Sequence, residues 1–299
     1  MKLVTIKSES EQLVGVVLDD KVLPLKRLAK AAGVYLPSSM QELIEEGQRV
    51  VPLLRKLIGR INEYSLEYIP LEQANVLAPI PRPRNSIFGV GMNYKAHVDE
   101  AHTSMGTSKA LPAAPVYFTK PSLAVVGPGQ AILNHSGVTG QLDWEAELAV
   151  IIGRGGKGIS QEVALDHVFG YTCLNDISAR DCRREHQWFL AKSLDGSAPM
   201  GPCIVTADEI SDPQDLFVTL SVNGVQRQAD RTERMIFSVA GIIADLSRAV
   251  TLEPGDIIAT GTPSGVGISF TPPVFLNNGD VVSMEISRIG VLTNPVEEA

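Results

Sequence analysis

Glu145 and Glu147, separated by one residue, stand at the start of the unbroken apolar run Leu148 to Ile152. A short continuous apolar run suits a strand covered on both faces, so this segment is expected inside a sheet. If Asp143 to Ile152 is a strand, side chains two apart share a face: both glutamates project together, and Trp144 and Ala146 face away. Carboxylates on one face repel unless a cation or water separates them. Asp176 closes the next strand-like run, which begins at Phe169, and can meet the pair as a third ligand. Three carboxylates suit a hard divalent ion, Mg²⁺ or Mn²⁺ with Ca²⁺ as a further option, better than zinc, which prefers nitrogen and sulfur. The competing reading is a sheet face that simply meets water.

Composition narrows the classes of partner. With 299 residues, 44% of them hydrophobic, the chain can fill one large core, or a large and a small one. A net charge of −8 without a basic cluster argues against nucleic acid and anionic membrane surfaces. No stretch is long and apolar enough to span a bilayer, and the start lacks the apolar core of an export signal, so a cytoplasmic location is expected. Cys173, Cys182 and Cys203 lack CxxC spacing and fit reduced structural thiols.

Along the chain, the first 25 residues read as short strands with a turn at Asp19-Asp20, and Met40 to Ile58 reads as a helix. The stretch Pro79 to Arg84 has three prolines, few backbone donors and no helical future. It marks the expected passage from a small α+β cap, residues 1–78, to a main domain, residues 79–299. Beyond it, strands are expected at Ser86 to Val90, Val116 to Thr119, Leu148 to Ile152, Phe169 to Asn175, Leu216 to Val222, Asp256 to Thr260 and Val281 to Ser287. Helices are expected near Ser160 to His167 and Ser238 to Val250. Strict βαβ alternation is missing, so a mixed, curled sheet in an α+β fold is the better expectation.

Other residues could do chemistry beside an ion. Gly89 to Glu100 is expected to run from a strand through a glycine turn into a helix, where His97 and Glu100, three apart, share a face. The carboxylate can orient the imidazole and make it a general base; the alternative is an ordinary surface pair. Ala101 to Pro115, rich in Ser, Thr, Gly and Pro, has the composition of a lid. Arg180 can clamp a substrate carboxylate or pair with a ligand carboxylate. Lys192 can support an oxyanion or snorkel at the surface. Ala259 to Gly267 has the small residues of a loop whose backbone approaches a ligand, whereas Gly153 to Gly158 fits no phosphate-binding motif and reads as a turn.

Taken in order, these segments resemble the fumarylacetoacetate hydrolase family. The matching stretches are Gly91-Met92-Asn93-Tyr94 with His97 and Glu100, Phe118 to Pro121, Asp143 to Glu147, Gly170 to Asp181, Ala191-Lys192-Ser193, Asn223-Gly224 with Met235 to Phe237, and Gly255 through Gly267. Pro199-Met200-Gly201-Pro202 fits the bacterial branch. Met92 departs from the arginine that some acylpyruvate-cleaving members carry before Asn-Tyr.

The resemblance implies a mixed β-roll catalytic domain, a homodimer, and a divalent ion held by Glu145, Glu147 and Asp176. It further implies catalytic roles for His97, Glu100 and Lys192, and substrate contacts from Arg180, Thr262, Tyr94 and Lys120. The expected reaction is hydrolytic cleavage of a carbon–carbon bond in a small 2-oxo or diketo acid, of fumarylacetoacetate, acylpyruvate or fumarylpyruvate type, through an enolate that the ion stabilises. Oxaloacetate decarboxylation or 2-hydroxydienoate isomerisation at the same site is the alternative, followed by hydrolysis or dehydration of a 2-keto-3-deoxy sugar acid. A non-catalytic binding protein would have no need of a His/Glu base.

Overall fold

The computed structural model describes residues 1–8, 11–184 and 187–299. The apolar run at the centre of the sequence becomes the strand Ala146–Ile152, buried along its whole length. Its two faces feed different cores. Leu148, Val150 and Ile152 join one hydrophobic cluster, whereas Ala149 and Ile151 join the other. This alternation places Glu147 on the face continued by Ala149 and Ile151; the strand expected from Asp143 is interrupted at Trp144 and Glu145, so Glu145 stands just before it.

The strand sits inside a twelve-stranded sheet. Its neighbours are Val168–Asn175 and Ile257–Ala259, both antiparallel to it. Ile257–Ala259 then pairs parallel with Ile87–Gly91, and Val116–Lys120 closes that side. On the other side Val168–Asn175 pairs with Ala198–Thr206, which pairs in turn with the N-terminal strand Lys2–Ser8 in the register Lys2↔Val205. The first strands therefore extend the same sheet that carries the glutamates. A second, five-stranded sheet runs Val225–Arg231, Phe217–Val222, Val281–Ile286, Gly290–Glu298, Ile132–Asn134. These are the mixed sheets of an α+β protein.

The expected strands all form within a few residues of their predicted limits. The helix expected at Met40 to Ile58 is two helices, Met40–Glu45 and Gly47–Ile58. Ser39 opens the first with a capping box shared with Glu42. Gly47 opens the second against the sheet, where a Cβ would stand 2.9 Å from the Phe169 ring. Leu43, Ile44, Val50 and Leu54 bury against Phe169, Ile204 and Ile257 in the second cluster. The segment expected as a helix at Ser160 to His167 is a 3₁₀ stretch, Gln161–His167, while Val239–Ser247 is α-helical. The three cysteines are free, two of them buried. Among the described residues no helix is long and apolar enough to cross a membrane.

Candidate active site

Sheet register builds the carboxylate triad. Ala146 pairs with Asn175, so Glu145 and Asp176 face each other one step beyond the ladder. The Asp176 amide donates to the Glu145 carbonyl at 2.8 Å, and the Glu145 amide donates to Asn175 Oδ1 at 3.0 Å. Glu147 enters from the same face two residues on. Each of the three offers a carboxylate oxygen within 4.8 Å of the others, and all three side chains are buried.

Charge around the triad is unevenly shared. Glu145 is 2.7 Å from Arg180 Nη1 through one oxygen and 2.7 Å from Lys192 Nζ through the other. Asp176 is likewise held on both oxygens, by Lys120 at 2.7 Å and by Lys192 at 2.6 Å. Glu147 accepts only the Gly261 amide at 2.8 Å, with no cation in contact among the described residues. Burial, followed by repulsion from Asp176 and Glu145, therefore raises the Glu147 pKa well above the carboxylate range. Burial also acts against Glu145, but Lys192, Arg180 and His97 overcome it and hold Glu145 ionised. Lys192 stays charged because Asp176 and Glu145 outweigh its own burial. With Asp143, which pairs with Arg180, the cluster sets four carboxylates against three cations. With Glu147 ionised one negative charge would be left uncompensated, which is why its pKa is raised when no ion is bound. The donor set and the deficit both fit a divalent ion.

The other residues reach the same place from four elements. The helix Lys95–Met105 carries His97, whose Nδ1 lies 2.8 Å from Glu100 Oε1. Arg180 heads a 3₁₀ turn and donates through Nε to Asp143 at 2.8 Å. Its Nη2 is buried and without a hydrogen-bond partner among the described residues. Lys192 ends the short helix Phe189–Lys192, with its ammonium 4.8 Å from the centre of the Phe118 ring. Thr262 lies on the glycine-rich loop after Ile257–Ala259. His97, Glu145, Glu147, Arg180, Lys192 and Thr262 all line one cavity with about 50 Å³ of free volume.

Tyr94 and Lys120, expected at the substrate, do not line it. Tyr94 is buried in the core and its hydroxyl has no partner among the described residues. Lys120 is fully buried, and its ammonium donates to the Ile177 and Lys192 carbonyls at 3.1 and 2.6 Å. Its reach ends at Asp176, which it positions from behind. Ala101 to Met105, the first part of the expected lid, continues the His97 helix, and Thr107 beyond it touches the cavity.

Three positioning residues escaped the sequence reading. Asp143 accepts the Gly267 and Ile268 amides at 2.6 and 3.0 Å as well as Arg180, tying the glycine-rich loop to the arginine. Gln228 donates to Thr262 Oγ1 and to the Pro263 carbonyl, each at 2.8 Å, and accepts the Ala146 amide at 2.9 Å. Asn93 donates to the Thr260 and Phe237 carbonyls at 2.7 and 3.0 Å. Asp143 and Asn93 stood inside recognised segments, but Gln228 lies in a polar strand, Val225–Arg231, with no motif to mark it.

Comparison with known proteins gives the family. Residues 86–297 match the family model described as fumarylacetoacetate (FAA) hydrolase C-terminal. Over 304 aligned residues the chain is 43% identical to oxaloacetate tautomerase YisK of Bacillus subtilis, covering 99% of this chain and 100% of that one. It is 38% identical to the human mitochondrial oxaloacetate tautomerase FAHD2A, over 87% of this chain and 80% of the relative. A fumarylacetoacetate hydrolase from Exiguobacterium antarcticum superposes with a TM-score of 0.80 at 37% identity, with both chains covered in full. Maleylpyruvate hydrolase from Sphingobium sp. SYK-6, in complex with manganese(II) and pyruvate, superposes with a TM-score of 0.79 at 31% identity over the full length of both chains. The chain belongs to the fumarylacetoacetate hydrolase family of enzymes.

Proposed function

We propose that this enzyme interconverts the enol and keto forms of a small 2-oxo dicarboxylate of the oxaloacetate type. The observation that carries this reading is one cavity holding a single oriented base, His97, beside a carboxylate triad and the unpartnered Nη2 of Arg180. The oxaloacetate tautomerases among the relatives make the hydrolytic cleavage expected from the resemblance the weaker reading.

Glu145, Glu147 and Asp176 would hold Mg²⁺ or Mn²⁺, which when bound supplies a Lewis acid that draws negative charge onto the 2-oxo group. Arg180 Nη2 takes the neighbouring carboxylate. Glu100 holds His97 Nδ1, so Nε2 is left to take a proton from C3 or return it there. Lys192 and Thr262 support negative charge on the C2 oxygen. Gln228 donates to Thr262 Oγ1, so the Thr262 hydrogen remains available to the substrate. A proton leaves the C2 oxygen and one arrives at C3; no water is consumed and the carbon skeleton stays intact.

The test follows the enol absorbance of fresh oxaloacetate with metal-stripped and Mn²⁺-loaded enzyme, while pyruvate is measured in parallel. Ion-dependent loss of enol without pyruvate release supports tautomerisation. Pyruvate formed at the rate of enol loss would replace it with decarboxylation.

A further inference from the structure

Two side chains that line the cavity carry buried polar atoms without a hydrogen-bond partner among the described residues, Arg180 Nη2 and Thr107 Oγ1. A buried donor without an acceptor is unfavourable, so an acceptor oxygen brought to either atom is bound with a gain. Arg180 can serve one end of a substrate and no more. Its Nε is held by Asp143 at 2.8 Å and its Nη1 by Glu145 at 2.7 Å, which leaves Nη2. The reaction above uses that nitrogen for the carboxylate beside the 2-oxo group and has no use for Thr107.

The backbone at Thr107 is fixed to the helix that presents His97. That helix, Lys95–Met105, ends at Gly106, whose φ of +64° turns the chain back. His102 Nδ1 then donates to the Thr107 carbonyl at 2.6 Å, which clips the residue onto the last helical turn. Ser104, in the same turn, donates to the Glu100 carbonyl at 2.8 Å and lies 3.3 Å, oxygen to oxygen, from Ser269. The Thr107 side chain is thereby set against the cavity, with its hydroxyl shut from solvent. A hydroxyl that donates to a carboxylate makes a charge-assisted hydrogen bond, stronger than one to a neutral oxygen. We propose that Thr107 binds the second carboxylate of the substrate and makes the site prefer 2-oxo dicarboxylates to 2-oxo monocarboxylates. This rests on the 2-oxo acid reading of the site given above.

The test uses unreactive 2-hydroxy acids with the Mn²⁺-loaded enzyme and reads binding by calorimetry, with malate as the dicarboxylate and 2-hydroxybutyrate as the monocarboxylate. The native enzyme prefers malate. Thr107→Val keeps the branched shape and removes the hydroxyl; it lowers malate affinity about 10-fold, changes 2-hydroxybutyrate affinity less than about 2-fold, and leaves Mn²⁺ affinity unchanged. Thr107→Ser, which restores the hydroxyl, keeps the preference. Equal weakening of both acids in Thr107→Val, an unchanged preference in that variant, loss of the preference in Thr107→Ser, or no preference in the native enzyme overturns the proposal. Oxaloacetate turnover is scored separately. A malate preference that depends on the Thr107 hydroxyl, without turnover, keeps this assignment and removes the tautomerase reading; turnover with a preference indifferent to Thr107 does the reverse.

Discussion

Glu100 accepts a hydrogen bond from the Gly265 amide at 2.8 Å through one carboxylate oxygen while the other holds His97 Nδ1 at 2.8 Å. His97, the proposed base, is thereby tied to the loop that carries Thr262. Gly265 has φ +102°, and a Cβ there would meet the Arg227 carbonyl oxygen at 2.0 Å, so no other residue fits the loop as it stands. Glu100→Gln is expected to lower kcat about 10²-fold, because a neutral amide orients the imidazole poorly and stabilises its charged form less. Mn²⁺ affinity, measured by calorimetry, stays near the native value. A parallel loss of ion binding would contradict this division of roles.

Glu147 sets a pH dependence. Its pKa is raised above the usual 4.5, first by burial and then by Asp176 and Glu145, so the folded chain keeps a proton that the unfolded chain has released. Without an ion, stability therefore falls as pH rises from about 4.5 through the raised Glu147 range. Thermal melts of metal-free protein across that window are expected to show a declining Tm that Glu147→Gln flattens. The variant should melt above the native protein near neutrality. Mn²⁺ should raise the native Tm and leave Glu147→Gln nearly unmoved.

Asp143 supports two structures that would fail together. Asp143→Asn leaves Arg180 buried with one partner fewer and weakens the Gly267 and Ile268 anchors. Urea unfolding should register a loss of about 3 kcal/mol. Glu11→Gln, which breaks the exposed pair with Lys26, should change stability by less than about 1 kcal/mol.

Gln228 is expected to act through Thr262. Thr262→Val removes the hydroxyl and should lower kcat about 10-fold with little change in Tm. Gln228→Leu strands the Ala146 amide and frees Thr262, so it should reduce both kcat and Tm. Steady-state kinetics and melting curves on the two variants separate these patterns.

The triad was legible because two-residue periodicity and an apolar run are local signals, and the register of Ala146 with Asn175 only had to bring Asp176 opposite. Other parts were hidden by local rules that tertiary structure overrides. Ala198–Thr206 contains Pro199, Gly201 and Pro202, residues that argue against a central strand, yet it pairs on one edge with Val168–Asn175 and on the other with Lys2–Ser8. Asn223 and Gly224, at φ +51° and +75°, form the turn of a hairpin whose second strand, Val225–Arg231, is too polar to read as one. Gln228 was concealed with it. Lys120 was expected at the substrate through the family resemblance, which does not say from which side of Asp176 it approaches. Reaction type was the least legible, since cleavage, decarboxylation and tautomerisation share an enolate and differ in which bond at C3 breaks.

The most direct test of the tautomerase reading is exchange at C3 of oxaloacetate in D₂O, followed by NMR with the Mn²⁺-loaded enzyme. The native protein should speed deuterium incorporation at C3 well above the uncatalysed rate while the four-carbon skeleton persists. His97→Ala should lose most of that acceleration, about 10²-fold or more, with Mn²⁺ binding retained. Exchange no faster than background, or pyruvate appearing in step with any signal change, would contradict the account.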